Sequence, residues 1–108
     1  MMSDSSHIVI LVTTSTSEEA HKIADRLLNE RKAACVSIVP GVSSFFRWQN
    51  ERDAAREHLL IIKTKAELLN EIIDLVKQLH SYEVPEIIAL PIVGGNPDYL
   101  EWIDKAVE

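Results

Sequence analysis

The sequence holds one cysteine, three glycines, four prolines and only 6% aromatic residues. A lone Cys35 excludes an intrachain disulfide and suits a reducing compartment. It also excludes a zinc site built within one chain from four thiolates, or from two thiolates and two imidazoles. Basic residues are scarce as well: 11 Lys and Arg face 17 Asp and Glu, for a formal charge of −6. That balance argues against nucleic acid as a partner, because such affinity rests on cations meeting phosphates. No apolar run approaches the ~18 residues that a membrane span needs. The first residues, Met1 to Ser6, are polar and acidic, unlike a signal or transit peptide, and are expected to form a disordered tail. The glycine-rich dinucleotide fingerprint, the P-loop, the nucleophile elbow and the zinc-protease helix motif are all missing.

What remains is 108 residues that are 46% hydrophobic and 26% charged, the balance of a soluble globular domain. One domain over residues 7–108 is the expectation, large enough for a core without metal or disulfide staples. His7 to Thr13 is nearly continuous in apolar residues, as in a strand covered on both faces. Ser15 to Glu19 offers two overlapping capping boxes. Ala20, Ile23, Ala24, Leu27 and Leu28 then mark one helical stripe. A second strand from near Ala33 is interrupted at Pro40-Gly41, which predicts an edge position or a bulge, and resumes to Trp48. Gln49 to Arg52 is a turn with Asn50 at positive φ, and a third strand returns through His58 to Thr64.

Thr64 to Glu67 reads as a further capping box before a helix marked by Leu68, Ile72, Leu75, Val76 and Leu79. A fourth strand is expected over 86–93, with Pro91 demanding an edge or bulge. Asn96-Pro97-Asp98 then starts a short C-terminal helix. Two strand–helix–strand halves joined by a hairpin give an α+β ferredoxin-like split βαβ sandwich, with both long helices on one face of a four-stranded sheet.

That arrangement leaves one sheet face open although the strands are apolar on both sides. The hairpin arm carries Phe45, Phe46 and Trp48. An exposed patch of this kind marks a protein interface, so a homo-oligomer is expected through the sheet face and the arm. Phe45, Phe46, Trp48 and Trp102 are its interface candidates. The alternative is that the C-terminal helix, with Tyr99, Leu100, Trp102 and Ile103, covers the face alone.

Chemistry-bearing residues concentrate in His80-Ser81-Tyr82-Glu83-Val84-Pro85-Glu86. Imidazole beside carboxylate suits Cu(II) or Zn(II), and imidazole at a helix C-terminus also serves a purely structural role. Lys63 ends a central strand, able to meet an anion or to pair with Glu86. Cys35 alternates within a strand, like a small buried hydrophobe. Gly94-Gly95-Asn96-Pro97 reads as a turn and N-cap before it reads as an anion site.

Five segments together resemble the CutA family of divalent-cation tolerance proteins: Arg31 to Val36, Val39 to Val42, Ile61 to Thr64, Tyr82 to Ile87 and Gly95 to Trp102. The resemblance runs from about Ile8 to Trp102. It implies a ferredoxin-like fold, a compact homotrimer, a cytoplasmic place, a link to copper and other divalent metals, and no enzymatic activity. It also implies likeness in shape to the PII signalling trimers, which bind small effectors between subunits. Family copper ligands fall here on Val12, Leu79 and His80, so His80 is the one metal-ligand candidate. Ser81 stands where the family has proline, and Gln49-Asn50-Glu51 replaces a glycine-containing turn. The expected ligand cleft is intersubunit and lined by Trp48, Lys63, His80, Tyr82 and Glu86. Its occupant is a copper or other divalent ion not needed for folding. The alternative is a PII-like sensor of a small anion using Lys63 and the Asn96 helix N-terminus.

Overall fold

The computed structural model describes residues 6–107. The expected tail over 1–6 therefore lies outside the described residues, except for Ser6, whose carbonyl accepts from the Ala66 N–H at 2.8 Å. The elements are β1 (His7–Thr14), α1 (Ser17–Asn29), β2 (Cys35–Trp48), β3 (Glu51–Lys65), a 3-10 turn (Ala66–Leu68), α2 (Leu69–Leu79), β4 (Ile87–Pro91) and α3 (Pro97–Ala106). The four strands form one sheet in the order β2-β3-β1-β4. Every neighbouring pair is antiparallel. Consequently β1 and β2 run parallel with β3 inserted between them, which is the split βαβ arrangement of a ferredoxin-like fold.

Local chemistry explains most boundaries. Thr16 caps α1, its Oγ1 accepting from the Glu19 N–H at 3.1 Å. The helix closes on Arg31, at φ 57. Lys32 N–H donates to Leu27 O and Arg31 N–H to Leu28 O. These two bonds are a Schellman motif, which satisfies carbonyls the helix would otherwise leave open. The Pro40-Gly41 interruption is both an edge position and a bulge: β2 is an edge strand, and its register against β3 shifts between Val39 and Val42. Gly41 sits there at φ 70, a conformation that costs an L-residue roughly 1–2 kcal/mol. Pro91 likewise sits on an edge strand, β4.

Two expectations need correction. The Thr64–Glu67 capping box does not form, because Thr64 lies inside β3 and its buried hydroxyl donates to Lys32 O at 2.5 Å. Lys65 precedes the 3-10 turn with no side-chain cap bond. The fourth strand is shorter than 86–93, since only Ile87–Pro91 finds partners on β1.

The turn joining β2 and β3 places both Gln49 (φ 51) and Asn50 (φ 69) at positive φ. Two consecutive left-handed residues define the mirror-image hairpin turn, which favours Asn-Gly. The double substitution Gln49→Asn/Asn50→Gly is expected to stabilise the chain by about 1 kcal/mol. Thermal unfolding checks this, and an unchanged or lower midpoint contradicts it.

The core lies between the sheet and the long helices. Ile8, Ile10 and Val12 of β1, with Leu60 and Ile62 of β3, meet Ile23 and Leu27 of α1 and Ile72 and Val76 of α2. The alternate residues turn to the opposite face. There Leu11 pairs in register with Ile61 and Ile88, Leu59 with Val39, and Val9 with Leu90. α3 packs against β3 and buries Ile103 and Val107. It leaves Val39, Ile88 and Leu90 exposed, and its own Tyr99 and Trp102 as well. The C-terminal helix therefore does not cover the second face alone.

Candidate functional site

The C-terminal end of β1, the turn after α2 and the hairpin arm converge on one region. His80 caps α2 in an extended conformation, and its side chain is fully buried. Its Nε2 faces the Thr13 carbonyl at 2.7 Å and must donate, while its Nδ1 accepts from the Tyr82 N–H at 3.1 Å. That pattern defines a neutral imidazole with the proton on Nε2. The Glu19 carboxylate lies 4.0 Å from Nδ1, but its bonds go to the Ser81 N–H and hydroxyl. The approach of Glu19 to His80 is thus a shared turn scaffold rather than an ion pair. Both ring nitrogens are committed, so the metal ligand expected at His80 has no lone pair to offer.

Tyr82 packs against His80 in a tilted arrangement, 4.8 Å between ring centroids, and donates its hydroxyl to Glu57 Oε2 at 2.6 Å. Burial first, then the hydrogen bond and charge of Glu57, with a contribution from Glu19, push the phenol from 10.0 up to about 12. An acid whose folded pKa is raised adds stability that is fully present below the unfolded pKa. For Tyr82 this contribution is lost as pH climbs from 10.0 towards 12. The stability difference between the native chain and Tyr82→Phe should therefore shrink across that window. Thermal midpoints taken in alkaline buffers check this, and a pH-independent difference contradicts it.

Tyr82 and Glu57 line a cleft of about 800 Å³ between the arm and the 81–86 turn. Phe45, Phe46, Arg47 and Trp48 form its arm side, and Glu83, Val84 and Glu86 belong to the turn side. Of the expected cleft residues, Trp48, Tyr82 and Glu86 do come together, and His80 lies behind Tyr82. Lys63 does not join them within one chain. It pairs in register with Val9, four residues from Thr13, or about 13 Å along the strand. Its Nζ lies 3.8 Å from Cys35 Sγ, and it makes no ion pair with Glu86 among the described residues. Trp102 is outside the cleft and packs on Tyr99 at 5.3 Å.

Glu57 is the site residue that the sequence reading missed. It is only 7% exposed. The signal was its spacing: Glu57, Leu59, Ile61 and Lys63 share the face opposite to Leu60 and Ile62, so a carboxylate there sits on an otherwise apolar sheet surface. With Glu57, Glu83 and Glu86 against Arg47, the cleft favours a cation over an anion. The Asn96 helix N-terminus is already served from within, by Asn96 Oδ1 accepting from the Asp98 N–H at 3.0 Å. No group of three or more His, Cys, Asp and Glu side chains converges as a metal site among the described residues.

A ferredoxin-like sheet with one apolar face open, a long aromatic arm and an acidic cleft at its base defines a small α+β protein. Comparison with known proteins makes the assignment narrower. The sequence profile of the CutA1 divalent ion tolerance protein matches residues 8–106. The chain is 48% identical to the divalent-cation tolerance protein CutA of Thermus thermophilus over 88% of its own length and 92% of the relative's. It is 47% identical to the chloroplastic CutA 1 protein of Oryza sativa, over 92% of this chain. It spans about half the length of the plant relatives, 56% for that rice protein and 54% for the one from Arabidopsis thaliana. The solved structure of the Thermus thermophilus protein superposes with a TM-score of 0.92 at 45% identity, covering 94% of this chain and 99% of that one. Rice CutA1 superposes with a TM-score of 0.93 at 43% identity, covering 96% and 95%. This chain belongs to the CutA1 divalent ion tolerance family.

Proposed function

We propose that the protein is a non-enzymatic homotrimer that helps its cell tolerate divalent cations, copper among them. The observation that carries this reading is the family match over residues 8–106, joined to an apolar sheet face that the chain leaves open. Aliphatic side chains such as Ile88 and Leu90, each about half exposed, find cover against further copies of the same surface. A non-enzymatic role fits the commitment of His80 to two structural bonds and of the Tyr82 proton to Glu57. The cytoplasm is the proposed location, in keeping with the free thiol of Cys35. The CutA structure from Archaeoglobus fulgidus is described as periplasmic. No helix of the described residues is long and apolar enough to cross a membrane.

Among the described residues of a single chain, no group of three or more His, Cys, Asp and Glu side chains comes together to hold a copper ion. A copper ion held by this protein takes its donors from more than one subunit, and His80 is not among them. The PII-like alternative, a small anion in the cleft, gains no support from three carboxylates facing one arginine.

A strain lacking the protein should grow less well than its parent in graded copper(II), and the native chain should restore growth. Unchanged growth in copper, zinc and cobalt contradicts the tolerance role. Calorimetric titration of copper(II) into the native chain and His80→Ala should give the same isotherm for both. Saturable binding that disappears in a folded His80→Ala contradicts the assignment of His80 to structure alone.

A further inference from the structure

Residues 81–86 join α2 to β4 and bring Ser81, Tyr82, Glu83, Val84 and Glu86 to the cleft. Among the described residues, no backbone–backbone hydrogen bond reaches this segment. Side chains hold it instead, through Ser81 and Tyr82. Ser81 donates its N–H to Glu19 Oε2 at 2.5 Å and its hydroxyl to Glu19 Oε1 at 3.2 Å. Glu19 belongs to α1, and its side chain is only 11% exposed. A carboxylate that accepts two bonds from one residue is a strong and directional anchor. The Tyr82 N–H then reaches back over Ser81 to His80 Nδ1 at 3.1 Å. The ring so closed contains both backbone dihedrals of Ser81. If they change, the Tyr82 N–H leaves His80, and the phenol is drawn off Glu57 with it.

We infer that Glu19 is a positioning residue for the cleft: by fixing Ser81 from α1, it keeps Tyr82 seated on Glu57. His80, Ser81 and Tyr82 are thereby tied to three different elements, β1, α1 and β3. The seated phenol occupies Glu57 Oε2, so the same latch sets how far that carboxylate is open to a cation in the cleft. This concerns the cleft within one chain and is independent of the trimer reading. A proline at position 81 would hold the turn without needing a latch. His80 stands at φ −86 and ψ 141, within the extended region that a residue before proline adopts. The proline ring fixes its own φ and has no N–H to donate, so Ser81→Pro makes Glu19 dispensable.

Amide-resolved hydrogen exchange and alkaline titration of the phenol test the inference on the 108-residue chain. The chain has two tyrosines, so a Tyr99→Phe background leaves the signal to Tyr82. The variants are Glu19→Ala, Ser81→Pro and the two combined. Glu19 makes no hydrogen bond to Tyr82, yet in Glu19→Ala the Tyr82 amide is expected to exchange about tenfold faster. The phenol should titrate nearer to 10.0 than to about 12, while the amides of α1 keep their protection. The charge of Glu19 is the smallest of the four causes acting on the phenol, so most of that fall reports unseating. In the Ser81→Pro background, Glu19→Ala should leave the Tyr82 amide unchanged and the phenol close to its native value. Faster exchange confined to the Ser81 amide overturns the inference, since Glu19 then serves Ser81 alone. Equal losses with and without the proline also overturn it, because Glu19 then acts through α1. If Glu19→Ala does not fold, Glu19→Gln, which keeps one carbonyl acceptor, replaces it under the same criteria.

Discussion

Replacing Ile61 by glutamate should leave a folded chain that no longer assembles. Ile61 sits mid-face on β3, in register with Leu11 on one side and Ser37 on the other. Its side chain points away from the helices, so the intrachain core from Ile10 to Val76 does not depend on it. In a monomer the new carboxylate projects into water at little cost. In a trimer three such groups would be buried against aliphatic surface, each losing hydration worth several kcal/mol. The expected mass is 12.2 kDa, the mass of one chain, with the far-ultraviolet dichroism of the native protein retained. An unchanged oligomer mass for Ile61→Glu would show that the open face is not the contact surface.

The second large effect lies on the opposite side of the same sheet. Ile10 is fully buried, pairs with Ile62 and Ala89 on its two neighbours, and faces the helices. Ile10→Ala removes three buried carbons from the middle of the core. Strands held on both edges and two packed helices cannot collapse fully around the vacancy. Such a change costs about 2–5 kcal/mol per chain, and thermal unfolding should show a midpoint lower by roughly 10 °C or more. Val93→Ala is the control: at 97% exposure it should shift stability by less than about 0.5 kcal/mol. Comparable losses at the two positions would contradict the placement of the core.

The two substitutions separate because β1 and β3 are apolar on both faces. That property was readable from the runs at Val9–Val12 and Leu59–Ile62, and it pointed to both the helix-covered core and the uncovered face. The edge-strand bulge was equally legible, since Pro40 cannot donate and Gly41 accepts positive φ. The Thr64 capping box was not. A threonine followed three residues later by glutamate is a local signal, and a long-range bond to Lys32 O overrode it. Gln49 at positive φ escaped notice for a related reason: turn residues there are usually Asn or Gly, and the strands on either side impose the conformation.

The site was legible in part. The resemblance implies that Trp48, Tyr82 and Glu86 share a cleft, and the fold brings them to one. The imidazole of His80 marks it in the sequence as a candidate ligand, and the fold uses its two nitrogens to lock the turn onto Thr13. Neither tautomer nor hydrogen-bond partner is encoded locally. Lys63 was placed in the cleft by analogy, and within one chain it lies at the far end of the open face. Glu57 carries no local signal beyond its place between Arg56 and His58. Only the approach of Tyr82 from a turn 25 residues away buries it.

The most direct measurement is the solution mass of the native 108-residue chain, by light scattering at micromolar concentration and below. Three copies of a 12.2 kDa chain, about 37 kDa, are expected, held on dilution because aliphatic surface is buried between them. A mass of 12.2 kDa would contradict the trimer, leaving the open sheet face with its half-exposed Ile88 and Leu90 uncovered.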